Sequence, residues 1–419
     1  MKSTNLISFY KICLIAVMLV NLSACQMWEL VNYQWQNAKA EAHWQEGKEY
    51  AVLPFKKLNG HILVSVQVNG SEPMTFVLDS GAAATVITET LVTNNLNLPK
   101  NRAVKISGQG EDGNPTAFVV HDVRIDVGDF FIQNMSVIYV PTDAMPFDSL
   151  EETYFDGVLG ADFFNCCLVE VNHDQQKLYL SKLESGIERR YSGPDWQKLA
   201  MTVEGNTPYL HTQIDDGESI KSVKLILDTG STGALDLFTG NNIIAIPQKT
   251  YQARSTGISG DTVNQVGLLP QLDVGPYSFN DFPSYFRTQG GEPQKGSHGV
   301  LGSKVLQQLN IVFDFTNQVL WVQPNMSYPL QIHADKSGLR ILPHVLGGIV
   351  KDIARGTGAE ALHIKKNSIV THINNQKLTV DSFDDLIGIL NNNTLSKVPI
   401  CWQNDESNSC GFLQLSSRL

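Results

Sequence analysis

The amino-acid sequence predicts a mainly β fold, with two β-rich lobes related by an internal repeat and a smaller α+β domain behind them. Three observations carry that reading. An apolar segment that ends in Asp-(Ser/Thr)-Gly occurs twice, one domain length apart. Each copy is followed by a Gly-rich turn and then by Gly-Val-Leu-Gly. Beyond residue 332 the repeat gives way to a different order of short strands and one capped helical pattern. The 419 residues suffice for about three domains. Charged residues make up 17 % and hydrophobic ones 42 %, which suits a folded chain and excludes a disordered or coiled-coil one. A net charge of −11, with no run of Lys or Arg longer than two, excludes a nucleic-acid binder that works by phosphate neutralisation. The six cysteines form no CxxC pair, which excludes a disulfide scaffold and a zinc ribbon.

The first element is an address. Lys2 and Lys11 precede a short apolar run, Ile12 to Val20, and then Leu22-Ser23-Ala24-Cys25. The run is too short to span a bilayer and reads as a signal peptide over residues 1–24. Leu-Ser-Ala-Cys resembles the bacterial lipobox, which implies that Cys25 is acylated and becomes the new N-terminus. Gln26 after the cysteine then implies the outer membrane, with the protein facing the periplasm. Residues 25–49, with Trp28, Trp35 and Trp44, are expected to be a polar tether.

The lobes follow at 50–182 and 198–325, joined by a linker over 183–197. Thr75-Phe-Val-Leu-Asp79-Ser80-Gly81 in the first corresponds to Lys224-Leu-Ile-Leu-Asp228-Thr229-Gly230 in the second, and the aspartates stand 149 residues apart. Gly108 and Gly257, in the Gly-rich turns 107–114 and 255–262, each follow their aspartate by 29 residues. Gly160 and Gly302 close the Gly-Val-Leu-Gly segments 81 and 74 residues after it. One Asp-Ser-Gly alone is an ordinary turn sequence. Two, each with the same strand before and the same glycines after, are not.

This pattern resembles the pepsin and retropepsin aspartic peptidases, over most of the chain from residue 50 to 323. The resemblance implies two retropepsin-like β-barrel lobes forming a pepsin-like pseudo-dimer, with Asp79 and Asp228 as a catalytic dyad. Two adjoining carboxylates cannot both ionise cheaply, so they share a proton and one serves as base while the other serves as acid. By the same resemblance, Ser80 and Thr229 bond across to the opposite loop, and Gly81 and Gly230 let backbone amides approach the carboxylates. Gly160 and Gly302 have packing roles, and the turns bearing Gly108, Gly110, Gly257 and Gly260 act as flaps over bound peptide. No tyrosine lies between 103 and 120, which places the chain nearer the retropepsins. Ala82 stands where pepsins carry a serine, whereas Ser231 supplies that hydroxyl in the second lobe. The expectation is an asymmetric dyad, with Asp228 the more readily ionised.

In the last domain, 332–419, Ser337-Gly338-Leu339-Arg340-Ile341 precedes a strand pattern, and Asp381-Ser382-Phe383 opens a capped helix. This order resembles a bacterial PDZ domain, although Lys366-Asn367-Ser368 stands where such domains carry Pro-Gly-Asp. It implies a peptide-binding loop at Gly338, Leu339, Arg340 and Ile341. Cys401 and Cys410 flank a polar loop and are candidates for a disulfide. Cys166 and Cys167 are neighbours that pair poorly with each other.

Other motifs do not hold. Gly108-x-Gly110-x-x-Gly113 matches a dinucleotide fingerprint in letters but leads into Asn114-Pro115, not a helix. The ten histidines include no HExxH, so neither a metal nor an organic cofactor is implied. The expectation is a membrane-anchored aspartic endopeptidase acting on protein or peptide substrates, a monomer with an internal pseudo-dimer rather than a homodimer. Its alternative is a catalytically silent peptide-binding lipoprotein.

Overall fold

A computed structural model describes residues 28, 29, 31–145, 153–183, 190–240, 243–288, 294–404 and 407–419. The expected signal peptide and Cys25 lie outside the described residues. Among those residues no helix is long and apolar enough to cross a membrane. The fold is mainly β, built from three sheets of nine, thirteen and six strands.

The two repeats fold alike. In the first, strand Met74–Leu78 enters the Asp79 loop and Val86–Thr88 leaves it. Gly157–Leu159 lies between them, parallel to the first and antiparallel to the second. In the second, Gly299–Leu301 lies in the same way between Ile220–Leu227 and Leu235–Phe238. The inserted strand pins both arms of each loop, because Asp79 N–H donates to Leu159 O and Asp228 N–H to Leu301 O, both at 3.0 Å. Long hairpins, Thr116–Val127 with Phe130–Val140 and Gly260–Val274 with Tyr277–Arg287, complete the two units.

One sheet joins the repeats. Strand Leu168–Asn172 pairs with Leu309–Asp314 through Val169↔Phe313 and Val171↔Ile311. Lys177–Ser181 with Tyr50–Pro54 extends it on one side, and Val319–Pro324 with Gln197–Glu204 on the other. Leu309–Asp314 is buried at all six positions, as befits a strand covered on both faces, whereas Tyr50–Pro54 at the rim alternates exposed and buried. The hydrophobic core is therefore continuous across both repeats.

Two segments expected to be loose are packed. Within 25–49, residues 31–37 are helical, and Tyr33 is buried with its hydroxyl 2.6 Å from Asp162 Oδ2. Strand Glu41–Trp44 then adds to Phe130–Val140 as a sheet edge. Of the linker, Tyr191 is buried against Trp196 and Trp321 and donates to Glu170 at 2.8 Å. Both attachments rest on a few aromatic anchors, Tyr33 and Trp44 in the first and Tyr191 with Trp196 in the second, in otherwise polar stretches.

The C-terminal module is a six-stranded sheet with two helices, Gly358–Ala361 and Phe383–Leu390. Phe383, Leu386 and Leu390 form the buried stripe of the longer helix. Leu58, Leu63, Val77 and Phe155 of the first repeat are part of this module's core cluster. Arg418 bonds Asp335 of its own module at 2.9 Å and reaches the second repeat, bonding Gln252 O at 3.1 Å and lying over Tyr251. Leu339, Arg340 and Ile341, expected in a binding loop, lie in strand Leu339–His344, with only Gly338 in the turn before it.

Cys401 and Cys410 form a disulfide between directly paired strand residues, while Cys166 and Cys167 are free thiols. Closing a loop of this size removes chain entropy from the unfolded state worth about 2–3 kcal/mol. Cys401→Ala with Cys410→Ala is therefore expected to lower the melting temperature without affecting the sheets of the repeats. An unchanged melting curve would show that the bridge adds nothing.

Candidate active site

The two Asp-(Ser/Thr)-Gly loops meet at the junction of the repeats. Each carboxylate is held by its own loop. Gly81 N–H and Ala82 N–H donate to Asp79 Oδ1 at 2.8 and 3.0 Å, and Gly230 N–H and Ser231 N–H donate to Asp228 Oδ1 at 2.9 and 2.8 Å. Each also lies against the other loop's glycine. A Cβ placed on Gly81 would stand 2.4 Å from Asp228 Cγ, and one on Gly230 would stand 2.3 Å from Asp79 Cγ.

The expected cross-bonding is present and reciprocal. Ser80 N–H donates to Thr229 Oγ1 at 3.0 Å, and Thr229 N–H to Ser80 Oγ at 3.1 Å. The hydroxyls donate onward to Leu227 O and Leu78 O, both at 2.8 Å. All four groups are satisfied and both side chains are buried, so neither loop can move without the other.

Above the dyad the Gly-rich turns touch. Ser259 N–H donates to Gln109 O at 2.9 Å, Asp112 N–H to Ser259 O at 2.7 Å, and Gly108 N–H to Ser259 Oγ at 3.2 Å. Gly257 permits the approach, since a Cβ there would stand 2.3 Å from Gln109 O. Gly110 and Gly260 lie in the same contact, both at positive φ. Gln109 reaches into the second repeat, bonding Ser255 at 2.9 Å and Asp236 at 3.3 Å. Gly160 and Gly302 pack closely on the carbonyls of Ala84 and Gly233, behind the loops.

Burial and then the negative charge of Asp79 hold the Asp228 carboxyl well above the usual carboxylate range. Ser231 meets Asp228 through its backbone amide, and Ala82 does the same for Asp79.

Behind the first loop lies a network that the repeat comparison overlooked. Asp162 accepts from Thr85 N–H at 2.9 Å, from Thr85 Oγ1 at 2.5 Å, from Tyr33 and from Asn37. Burial raises its carboxyl above the ordinary range, and these donors oppose the shift. The signal was available: Gly-Val-Leu-Gly-Ala-Asp162 aligns with Gly-Val-Leu-Gly-Ser-Lys304, and Thr85 with Ala234, so the network exists on one side only. His61 and Tyr154 were also missed, since neither belongs to a repeated motif. Among the described residues no His, Cys, Asp and Glu cluster suits a metal ion.

Residues 64–163 match the family model of aspartyl proteases, and this span contains the whole first loop but not the second. No curated protein matches the sequence. The aspartic proteinase of Irpex lacteus is a similar solved structure, at 14 % identity and a TM-score of 0.43, covering 67 % of this chain and 99 % of that one. The family match supports a protease of the aspartic class.

Proposed function

We propose that the chain is an aspartic endopeptidase in which Asp79 and Asp228 activate water between them. The supporting observation is the reciprocal pair of loops: each carboxyl is fixed by two amides and faces its twin across two glycines. Such a pair shares one proton, so one member takes a proton from water while the other gives one to the scissile carbonyl. No covalent intermediate is required. The closed turns at 107–114 and 255–262 are read as paired flaps that must part to admit an extended peptide and then exclude water from it. A single chain supplies both halves of the dyad, which favours a monomer.

The C-terminal module is proposed to recruit or regulate substrate in the manner of a PDZ domain. An acylated Cys25 is proposed to hold the enzyme at the outer membrane, facing the periplasm. The test uses the soluble chain from Gln26 onward, incubated with a mixed peptide substrate from pH 3 to 8, with new termini read by mass spectrometry. Cleavage that both Asp79→Ala and Asp228→Ala abolish is the expected result. Cleavage surviving either substitution would overturn the dyad. No cleavage at any pH would favour a peptide-binding lipoprotein.

A further inference from the structure

We propose that His61 is a positioning residue for the dyad, through which the C-terminal module holds the second catalytic loop in place. The inference rests on the peptidase reading above and concerns how that site is kept in register.

His61 opens the second strand of the hairpin formed by Lys56–Leu58 and His61–Val68, directly after the Asn59-Gly60 turn. Its Nε2 lies 2.9 Å from Gly230 O, and its Nδ1 lies 2.7 Å from the Tyr154 hydroxyl. A carbonyl can only accept, so Nε2 carries the proton and Nδ1 accepts from Tyr154. Tyr154 in turn accepts from Asn59 Nδ2 at 3.2 Å. Burial lowers the His61 pKa, which keeps the ring neutral and this tautomer in force. Burial also raises the Tyr154 hydroxyl, which remains a donor.

The bond to Gly230 acts on the dyad through one peptide group. The carbonyl that His61 grips belongs to the same peptide as Ser231 N–H, which donates to Asp228 Oδ1 at 2.8 Å. Polarising one end of a peptide strengthens the hydrogen bond at its other end. His61 therefore fixes the plane of that peptide and stabilises the anionic form of the pair.

The hairpin is held from two directions. Asp384, at the start of helix Phe383–Leu390, accepts from Asn59 N–H at 2.7 Å. Gln307 of the second repeat donates to Gly60 O at 2.6 Å. Leu58 is buried with the module's core. The path runs from the module's helix through Asn59, Tyr154 and His61 to the peptide that binds Asp228.

The charged and titratable groups around His61 are Asp79, whose charge favours its protonation, and Tyr154, with Lys57 and Asp384 at the hairpin's far side. The test compares His61→Leu, His61→Gln and Asp384→Ala with the parent soluble chain. His61→Leu is expected to lower kcat roughly tenfold with KM within about twofold, because the loop and not the substrate is affected. Weaker support for the anion raises the pair's pKa, so the acid limb of the pH–rate profile should move up by about half a unit. His61→Gln restores a donor to Gly230 O and most of the rate. Asp384→Ala shifts both quantities in the same direction by a smaller factor. Amide NMR on the same proteins should show the Ser231 N–H resonance moving upfield in His61→Leu and Asp384→Ala, whether or not the chain cleaves peptides. A His61→Leu protein with parental kcat and pH profile, or His61→Gln as impaired as His61→Leu, would overturn the proposal. An inactive parent in which Ser231 still responds would fault the peptidase reading alone; an unmoved Ser231 would fault this one.

Discussion

Asp228→Asn should fold, melt at a higher temperature than the parent at pH 7, and cleave no peptide. The stability gain follows from the direction of the shift. Burial and the charge of Asp79 place the Asp228 carboxyl well above its ordinary range in the folded protein. A carboxyl whose folded pKa is raised costs nothing while both states are protonated, below about pH 4. Above that, the unfolded chain ionises freely and the folded one resists, so stability declines as pH rises toward the folded pKa. Asparagine carries no charge and escapes this decline. The difference in melting temperature between variant and parent should therefore be present at pH 7 and vanish near pH 3.5. Activity should fall by at least about a thousandfold, since the pair can no longer divide acid and base roles. Equal melting differences at both pH values, or retained turnover, would contradict the shared-proton dyad.

The sequence made the dyad loops legible because a duplication repeats its errors rarely and its constraints always. Asp79-Ser80-Gly81 and Asp228-Thr229-Gly230 matched in residue type and in spacing to their glycine turns, so their meeting could be expected before any fold was known. The resemblance to aspartic peptidases anticipated the Ser80–Thr229 cross-bonds, whereas the direct contact of the 107–114 and 255–262 turns was not expected. What it could not carry was register between distant edges. Leu168–Asn172 and Leu309–Asp314 belong to different lobes, yet they pair with each other and fuse the lobes through one sheet. Nothing local specifies that pairing, because it depends on which strand edges remain open once each lobe has folded. His61 escaped for a related reason: its partners come from residues 59, 154, 230 and, through the hairpin, 384, and no spacing rule connects them. Asp162 was hidden by the opposite effect. Attention to what the repeats share passed over Asp162 and Lys304, where they differ.

Gly81→Ala and Gly230→Ala should each remove most activity while leaving a folded protein, and by the same cause. Neither glycine has positive φ, so alanine meets no conformational penalty in the loop itself. The added methyl instead meets the other repeat's carboxylate, at 2.4 Å from Asp228 Cγ in the first case and 2.3 Å from Asp79 Cγ in the second. Contacts that short do not persist, and the loops cannot slide apart because Ser80 and Thr229 hold them. The carboxylate must swing away, breaking its bonds to the two amides that orient it. Local overpacking of this kind costs about 1–3 kcal/mol of stability, which a domain can survive. Displacing a reacting carboxyl by about an ångström costs roughly a hundredfold or more in rate. The two alanine proteins should lose activity to within about tenfold of each other, since each substitution displaces the opposite member of one pair. Gly388→Ala is the control: nothing lies within 4 Å of a Cβ there, and it sits in helix Phe383–Leu390. That substitution should raise stability by about 0.5–1 kcal/mol and leave the rate unchanged. Parental kcat in either loop variant would mean that the carboxylates do not face each other across these glycines, and the shared-proton mechanism would fall with that geometry.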